Sequence, residues 1–257
     1  MEMKTEKEDE GVTSPEKIPK IIHFCWFGRG PKSRKIQMCI QSWRKHLPDY
    51  KLMEWNEDVF QLDSVPYVKQ AYEARKYAFV SDYVRLYALY HYGGIYMDTD
   101  VEVVQSLDRF LTHEAFSGFE DDVYLQSGTM GAVKGHGWIK ELMDYYAGKS
   151  FVQPDGTFDM TTNTKIITQV CSRWGLVLNG QHQMLRNGVV FYPRTYFSPY
   201  DYINAADYRT EDSYTIHHFV QSWLPLSVRI RGYFKRRISR IIGPKGISFM
   251  RKVLKNG

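Results

Sequence analysis

Asp98-Thr99-Asp100 is the triplet of this chain with the clearest capacity for chemistry. In an extended segment side chains alternate faces, so Asp98 and Asp100 leave the same side and set two carboxylates together. Such a pair is a hard oxygen site suited to Mg²⁺ or Mn²⁺. Upstream, Asp82 and Arg85 share one face of a segment, Tyr77 to Tyr90, whose apolar residues cover most of a helical surface. Burying charge is costly unless it is paired or bound to something polar, so the two form a mutual ion pair or hold a polar ligand. Downstream, His217 and His218 close a strand-like stretch from Tyr214. Adjacent strand residues face opposite ways, so at most one of them joins a site.

The elements that position these residues follow from periodicity and punctuation. Gly93-Gly94 ends the apolar helix by supplying positive φ, and Ile95-Tyr96-Met97 begins a strand at once, continued over Val101 to Leu107. Earlier, Ile21 to Phe27 reads as a buried strand ended by Gly28-Arg29-Gly30-Pro31. Trp26, at its carboxyl end, faces a ligand or packs in the core. Ser33 to Leu47 has the spacing of an amphipathic helix and Tyr50 to Trp55 alternates as a second strand, a βαβ unit that implies a parallel sheet. Later helices are expected over Gly137 to Tyr146 and Lys165 to Trp174, the second capped by a threonine or Asn163. Tyr196 to Tyr202 is an aromatic loop, a platform for sugar rings or plain packing, and Asp155 and Asp159 are acceptor-side acids or, more in keeping with their setting, exposed loop carboxylates.

A chain of 257 residues with 43% hydrophobic content supports one large globular domain. We divide it into a solvated leader (1–17), a catalytic domain (18–228) and a basic amphipathic tail (229–257). The net charge of +5 hides an asymmetry: ten basic and no acidic residues lie in the tail, and the rest carries 24 basic against 29 acidic. Such a tail suits an anionic membrane surface, and the body holds no nucleic-acid recognition motif. Cys25, Cys39 and Cys171 form neither a disulfide framework nor a CxxC site and read as reduced thiols. There is no secretory start and no apolar run long enough for a span. The expected location is cytoplasmic, with peripheral attachment to the inner face of the cell membrane.

SDYVRLYALYHYGGIYMDTDVEV, with IPKIIHFCWFG before it and His217-His218-Phe219-Val220-Gln221-Ser222-Trp223 after it, resembles glycosyltransferase family 32. That family includes initiating mannosyltransferases and capsule enzymes; the large clostridial glucosylating toxins are more distantly similar. The resemblance implies an α/β fold of GT-A type, a Rossmann-like mixed sheet flanked by helices. It implies a metal-dependent, retaining transfer from a UDP- or GDP-sugar to a glycan or lipid-linked saccharide, with Mn²⁺ or Mg²⁺. By that resemblance Trp26 stacks on the base, Asp82 and Arg85 hold donor sugar and phosphate, and Tyr96 and Thr99 line the pocket. Asp98 contacts ribose and the metal shell, Asp100 binds the metal, His217 completes the metal site, and Ser222 and Trp223 contact the diphosphate. The family's Thr-Gly-Pro is absent near Thr161-Thr162-Asn163.

Two other classes compete. A phosphohydrolase of the haloacid dehalogenase type also places Asp-x-Asp after an apolar strand. Its Thr or Val two residues past the second aspartate is Glu102 here, and its motif ends the first strand of the fold. An inert sugar-nucleotide-binding protein would keep the pocket without turnover.

Overall fold

In the computed structural model, residues 17–202 and 206–220 are described. Eleven strands and six α-helices alternate along them: β1 (Ile21–Cys25), α1 (Arg34–His46), β2 (Lys51–Trp55), α2 (Pro66–Glu73), α3 (Tyr77–Tyr92), β3 (Gly94–Met97), β4 (Val101–Val103), β5 (Ala115–Gly118), β6 (Thr129–Ala132), α4 (Gly137–Asp144), α5 (Asn163–Arg173), β7 (Gln183–Met184), β8 (Val189–Tyr192), α6 (Arg194–Phe197), β9 (Tyr200–Asp201), β10 (Ala206–Asp207) and β11 (Thr215–His217). Seven strands form the central sheet in the order β2-β1-β3-β6-β5-β8-β7. The first βαβ unit is parallel, as its spacing predicts, but β6 runs antiparallel to both β3 and β5, so the sheet is mixed.

Alternation along the central strands separates two apolar cores. Tyr96 and Ala115 join one cluster with α2 to α5, whereas Ile95, Met97 and Phe116 join the other with α1 and α6. Helix α3 contributes Phe79, Val80, Val84, Leu86, Ala88 and Leu89 to the first of these, as expected of a helix apolar around most of its surface. It stops where Gly93 (φ 66) and Gly94 (φ 106) adopt the left-handed region. Close approach also matters at Gly94, where a Cβ would lie 2.7 Å from the Ile21 carbonyl oxygen.

Several local expectations are corrected. The strand does not run from Ile95 to Leu107: β3 ends at Met97, the Asp-Thr-Asp triplet makes a turn with Val101 N–H donating to Asp98 O (3.0 Å), and β4 leaves the sheet. The physical reason is competition from outside the segment. Strand β4 pairs antiparallel with β11, and helix α1 clamps it through Trp43 Nε1 to Val101 O (2.7 Å) and Val103 N–H to Ser42 Oγ (2.9 Å). Helix α5 begins at Asn163 with Thr162 at its N-cap, and neither side chain caps it. Within Tyr196 to Tyr202 the chain forms the end of α6 and β9, and Phe197 is buried in the core while Tyr196 stacks on Tyr214, so packing accounts for these rings. Cys25, Cys39 and Cys171 are free and buried, as expected.

Gly131 in β6 sits under the Phe116 ring, where an added Cβ would lie 2.1 Å from Cε1. Gly131→Ala is therefore expected to destabilise the fold by about 1–3 kcal/mol, as overpacking does. Urea unfolding checks this, and Phe116→Leu in the same chain should recover part of the loss.

Candidate active site

Helix α3 points Asp82 and Arg85 from its buried face toward the carboxyl end of β3. Arg85 Nη2 donates to Asp82 Oδ1 at 2.9 Å, Nη1 donates to Ser127 O at 2.7 Å and lies 3.3 Å from Asp98 Oδ1, and Nε donates to Ser81 O at 3.3 Å. The guanidinium also packs over the Tyr96 ring, 4.5 Å from its centre, and Tyr96 OH donates to Asp98 Oδ1 at 3.0 Å. The ion-pair reading of Asp82 and Arg85 is thus correct, and the pair is part of a larger network that reaches the triplet. Nearly every N–H of Arg85 is committed to protein, which makes it a fixed support for the two aspartates. Burial pushes the Asp82 carboxyl up to about 6 while Arg85 pulls the other way. Burial also opposes the charge on Arg85, but Asp98, Tyr96 and Asp82 more than offset it and hold the guanidinium firmly protonated.

Asp100 turns away from that network to the far wall. His217 Nε2 lies 3.3 Å from Asp100 Oδ1, and the Val220 N–H donates to Asp100 Oδ2 at 2.7 Å. Burial would raise the Asp100 carboxyl, yet His217 and these donors bring it down to about 2; burial would likewise lower His217, yet Asp100 raises it to about 9. His218 faces the other way, 2.7 Å from Glu102 Oε2, which confirms the opposite facing expected of neighbouring strand residues. The same bond engages Glu102, the residue that argued against a haloacid dehalogenase.

The two halves meet at Gly128. Its carbonyl accepts from Asp98 N–H at 2.9 Å, and a Cβ there would lie 3.0 Å from His217 Nδ1 and 3.3 Å from Asp98 Oδ2. His217 Nδ1 is buried with no hydrogen-bond partner among the described residues. An orphaned imidazole nitrogen, two carboxylates and a gap that only glycine leaves open fit a divalent cation tolerant of mixed oxygen and nitrogen ligands, as Mn²⁺ is. Among the described residues no three such side chains already close around one point as a preformed cage.

Sequence reasoning missed several contributors. Asn163, in the first turn of α5, donates through Nδ2 to the Asp82 backbone carbonyl at 3.1 Å, and Tyr146 OH reaches its Oδ1 at 3.4 Å. A buried asparagine at the start of an amphipathic helix was the available signal. The Ser127 carbonyl and Gly128 were unreadable as site parts, because backbone groups leave no mark in residue type. Glu120, just beyond β5, carries a carboxyl raised by burial beside the charges of His217 and Asp98. Trp26 is half-buried, with its indole N–H on Gly30 O (2.7 Å) and Lys32 over its ring (5.2 Å). It has no direct bond to the aspartates. Thr99 sits half-buried in the turn, Asp155 and Asp159 accept from their own loop, and Ser222 and Trp223 lie outside the described residues.

The raised Asp82 carboxyl has a pH signature. Its folded value of about 6 exceeds the ordinary aspartate value of 3.8, so its contribution to stability is complete below pH 3.8 and is lost as pH rises through 6. Relative to Asp82→Asn, the unaltered protein should lose about 3 kcal/mol across that window. Urea unfolding at a series of pH values measures this, and parallel curves would contradict it.

Comparisons with known proteins place this geometry. Residues 33–117 match the family described as "Glycosyltransferase sugar-binding region containing DXD motif". A mannosyl phosphorylinositol ceramide synthase of Saccharomyces cerevisiae is 27% identical over 67% of this chain and 47% of its own length. Inositol phosphoceramide mannosyltransferase 2 of Schizosaccharomyces pombe is 31% identical over 49% of this chain and 37% of its own. The chain thus spans less than half the length of these relatives. Among solved structures, the PaToxG glycosyltransferase aligns with a TM-score of 0.48 and 22% identity over 62% of this chain and 70% of that one. The Asp98–Asp100 turn lies inside the matched segment, so this part of the chain is similar to the sugar-binding region of DXD glycosyltransferases.

Proposed function

We propose that this protein is a GT-A-type, metal-dependent retaining glycosyltransferase that moves a sugar from a nucleoside-diphosphate sugar to a saccharide acceptor, including a lipid-linked one. The observation that carries the reading is the junction at Gly128: buried Asp82 and Arg85 with half-buried Asp98 on one side and a half-buried Asp100–His217 pair on the other. The relatives' names, mannosyltransferases of inositol phosphoceramide, are consistent with a donor sugar and with a lipid-borne acceptor.

In this account Asp100 and His217 would hold Mn²⁺ or Mg²⁺, with Asp98 beside them. When bound, such a cation would supply the positive charge that offsets the departing diphosphate. Asp82 would accept hydrogen bonds from donor-sugar hydroxyls, and Arg85 would keep it and Asp98 rigid, so that orientation costs little when the sugar arrives. Tyr96 would fix Asp98 toward the ribose, Thr99 would line the turn, and Trp26 would stack on the base. Ser222 and Trp223, beyond the described residues, are assigned to the diphosphate. Front-face attack, with a donor phosphate oxygen taking the acceptor proton, accounts for retention without a protein nucleophile: Asp98 and Asp100 are already held by Arg85 and His217. Membrane attachment through 229–257 on the cytoplasmic face belongs to the same proposal, and no described helix is long and apolar enough to cross a membrane.

The test is diphosphate release from a panel of UDP- and GDP-sugars with and without Mn²⁺, hydrolysis to water included. Release should require metal and fall at least about 100-fold in Asp100→Asn, the usual scale for losing a charge-stabilising group. Gly128→Ala should raise the Mn²⁺ concentration needed for half-maximal release while leaving the unfolding midpoint nearly unchanged. A covalent aspartyl phosphate would overturn the proposal, and binding without release would favour an inert module. Deleting 229–257 should reduce sedimentation with anionic liposomes; unchanged sedimentation removes that attachment.

A further inference from the structure

Just past β11 the chain turns on a strained residue. Phe219 has φ 48, in the left-handed region that a bulky side chain adopts only at a cost in stability. Among the described residues two other non-glycines do the same, Arg29 and Arg75. Arg75 follows the end of α2, where a left-handed residue commonly terminates a helix, and Arg29 lies between two glycines in an exposed loop. Phe219 is at neither kind of place. It follows a residue anchored twice, by the His218 N–H on Asp100 O (3.1 Å) and by His218 Nε2 against Glu102 Oε2 (2.7 Å).

Two contacts come from this turn. In the register of β11 on β4, with His217 opposite Val101, an extended chain would carry Val220 on to a place opposite Asp98. The turn instead returns the Val220 N–H to the Asp100 carboxylate, 2.7 Å from Oδ2. Asp100 is thus gripped from both sides of Phe219, by His217 at Oδ1 (3.3 Å) and by Val220 at Oδ2. The second contact is made by the ring. Phe219 stacks on His217 with centres 3.9 Å and planes 24° apart, and Tyr202 lies against Phe219 at 4.4 Å and 33°. The last torsion of a histidine has broad wells, so its rotamer alone does not fix the plane of the imidazole. Hydrogen bonding adds little, since Nδ1 has no partner among the described residues and Nε2 meets Asp100 only at 3.3 Å. The aromatic stack supplies the missing constraint.

We infer that Phe219 is a positioning residue for the Asp100–His217 half of the site: its left-handed backbone sets the Val220 N–H on Asp100, and its ring, packed against Tyr202 and His217, sets the plane of the imidazole. The inference rests on the glycosyltransferase reading only for the purpose of this order, which is to hold two side chains ready for a divalent cation. Partners that orient metal ligands from outside commonly change metal affinity about 10- to 100-fold when removed.

The experiment uses the full chain and three variants. Phe219→Tyr keeps the ring, Phe219→Asn keeps the left-handed backbone without the ring, and Phe219→Pro removes both by fixing φ at about −65°. NMR of metal-free protein with isotope-labelled valine and histidine should show the His217 ring signals moved in Phe219→Asn and Phe219→Pro but not in Phe219→Tyr. The Val220 amide should move in Phe219→Pro alone, with the other valine amides in place. Mn²⁺ affinity, read from the electron paramagnetic resonance of the free ion with no donor present, should fall about tenfold in Phe219→Asn and about 100-fold in Phe219→Pro, and hold within about twofold in Phe219→Tyr. Unmoved His217 signals in Phe219→Asn, an unmoved Val220 amide in Phe219→Pro, or equal Mn²⁺ affinity in Phe219→Asn and Phe219→Tyr would overturn the inference. Phe219→Asn keeps the test decisive if Phe219→Pro does not fold. The two readings fail separately: an unaltered chain that binds no Mn²⁺ removes the metal, while the histidine and valine signals still decide the positioning.

Discussion

The arrangement depends on one buried cation. Arg85, 4% exposed, is the point where helix α3, strand β3, the Asp-Thr-Asp turn and the loop before β6 are tied together. A guanidinium out of water is tolerable only when carboxylates and carbonyls surround it, and Asp82, Asp98, Ser81 O and Ser127 O do so. Removing either aspartate would leave charge uncompensated, so the geometry of both is fixed by the same requirement. Preorganisation of this kind is what a site needs if its polar groups are to meet a transition state without rearranging.

Asp100 belongs to a second, separate pair, and the division of labour follows from the turn. Because the triplet is not extended, its two carboxylates part company: Asp98 stays with α3, and Asp100 reaches β11, which is more than a hundred residues further along the chain. The candidate site is therefore assembled across the fold, with Gly128 as the gap between the halves. That gap is small enough for a methyl group to intrude on both His217 and Asp98. It accounts for a glycine at a position whose backbone strain does not require one.

Much of this was legible in the sequence. The apolar periodicity of 77–90, the Gly-Gly stop, the apolar run of β1 and the alternation of β2 located the framework, and the cost of burying Asp82 and Arg85 identified them as partners. The turn at Asp98–Asp100 was not legible, because what breaks the strand is the pull of β11 and of Trp43 and Ser42 on β4, all distant in sequence. Asn163 was expected at a helix cap, and the tertiary contact with Asp82 took it instead. Sequence patterns report local preference and face, and they are silent on which distant carbonyl a side chain will find.

The central claim is that donor sugar and diphosphate lie on opposite sides of Gly128, the sugar by Asp82 and the phosphates by Asp100 and His217. A crystal structure of the full chain with Mn²⁺ and a nucleoside-diphosphate sugar that supports release, with anomalous diffraction at the manganese edge, tests it most directly. The account predicts one anomalous peak within bonding reach of Asp100 and His217, with sugar hydroxyls hydrogen-bonded to Asp82. A peak away from both residues, or a sugar bound elsewhere on the chain, would contradict it.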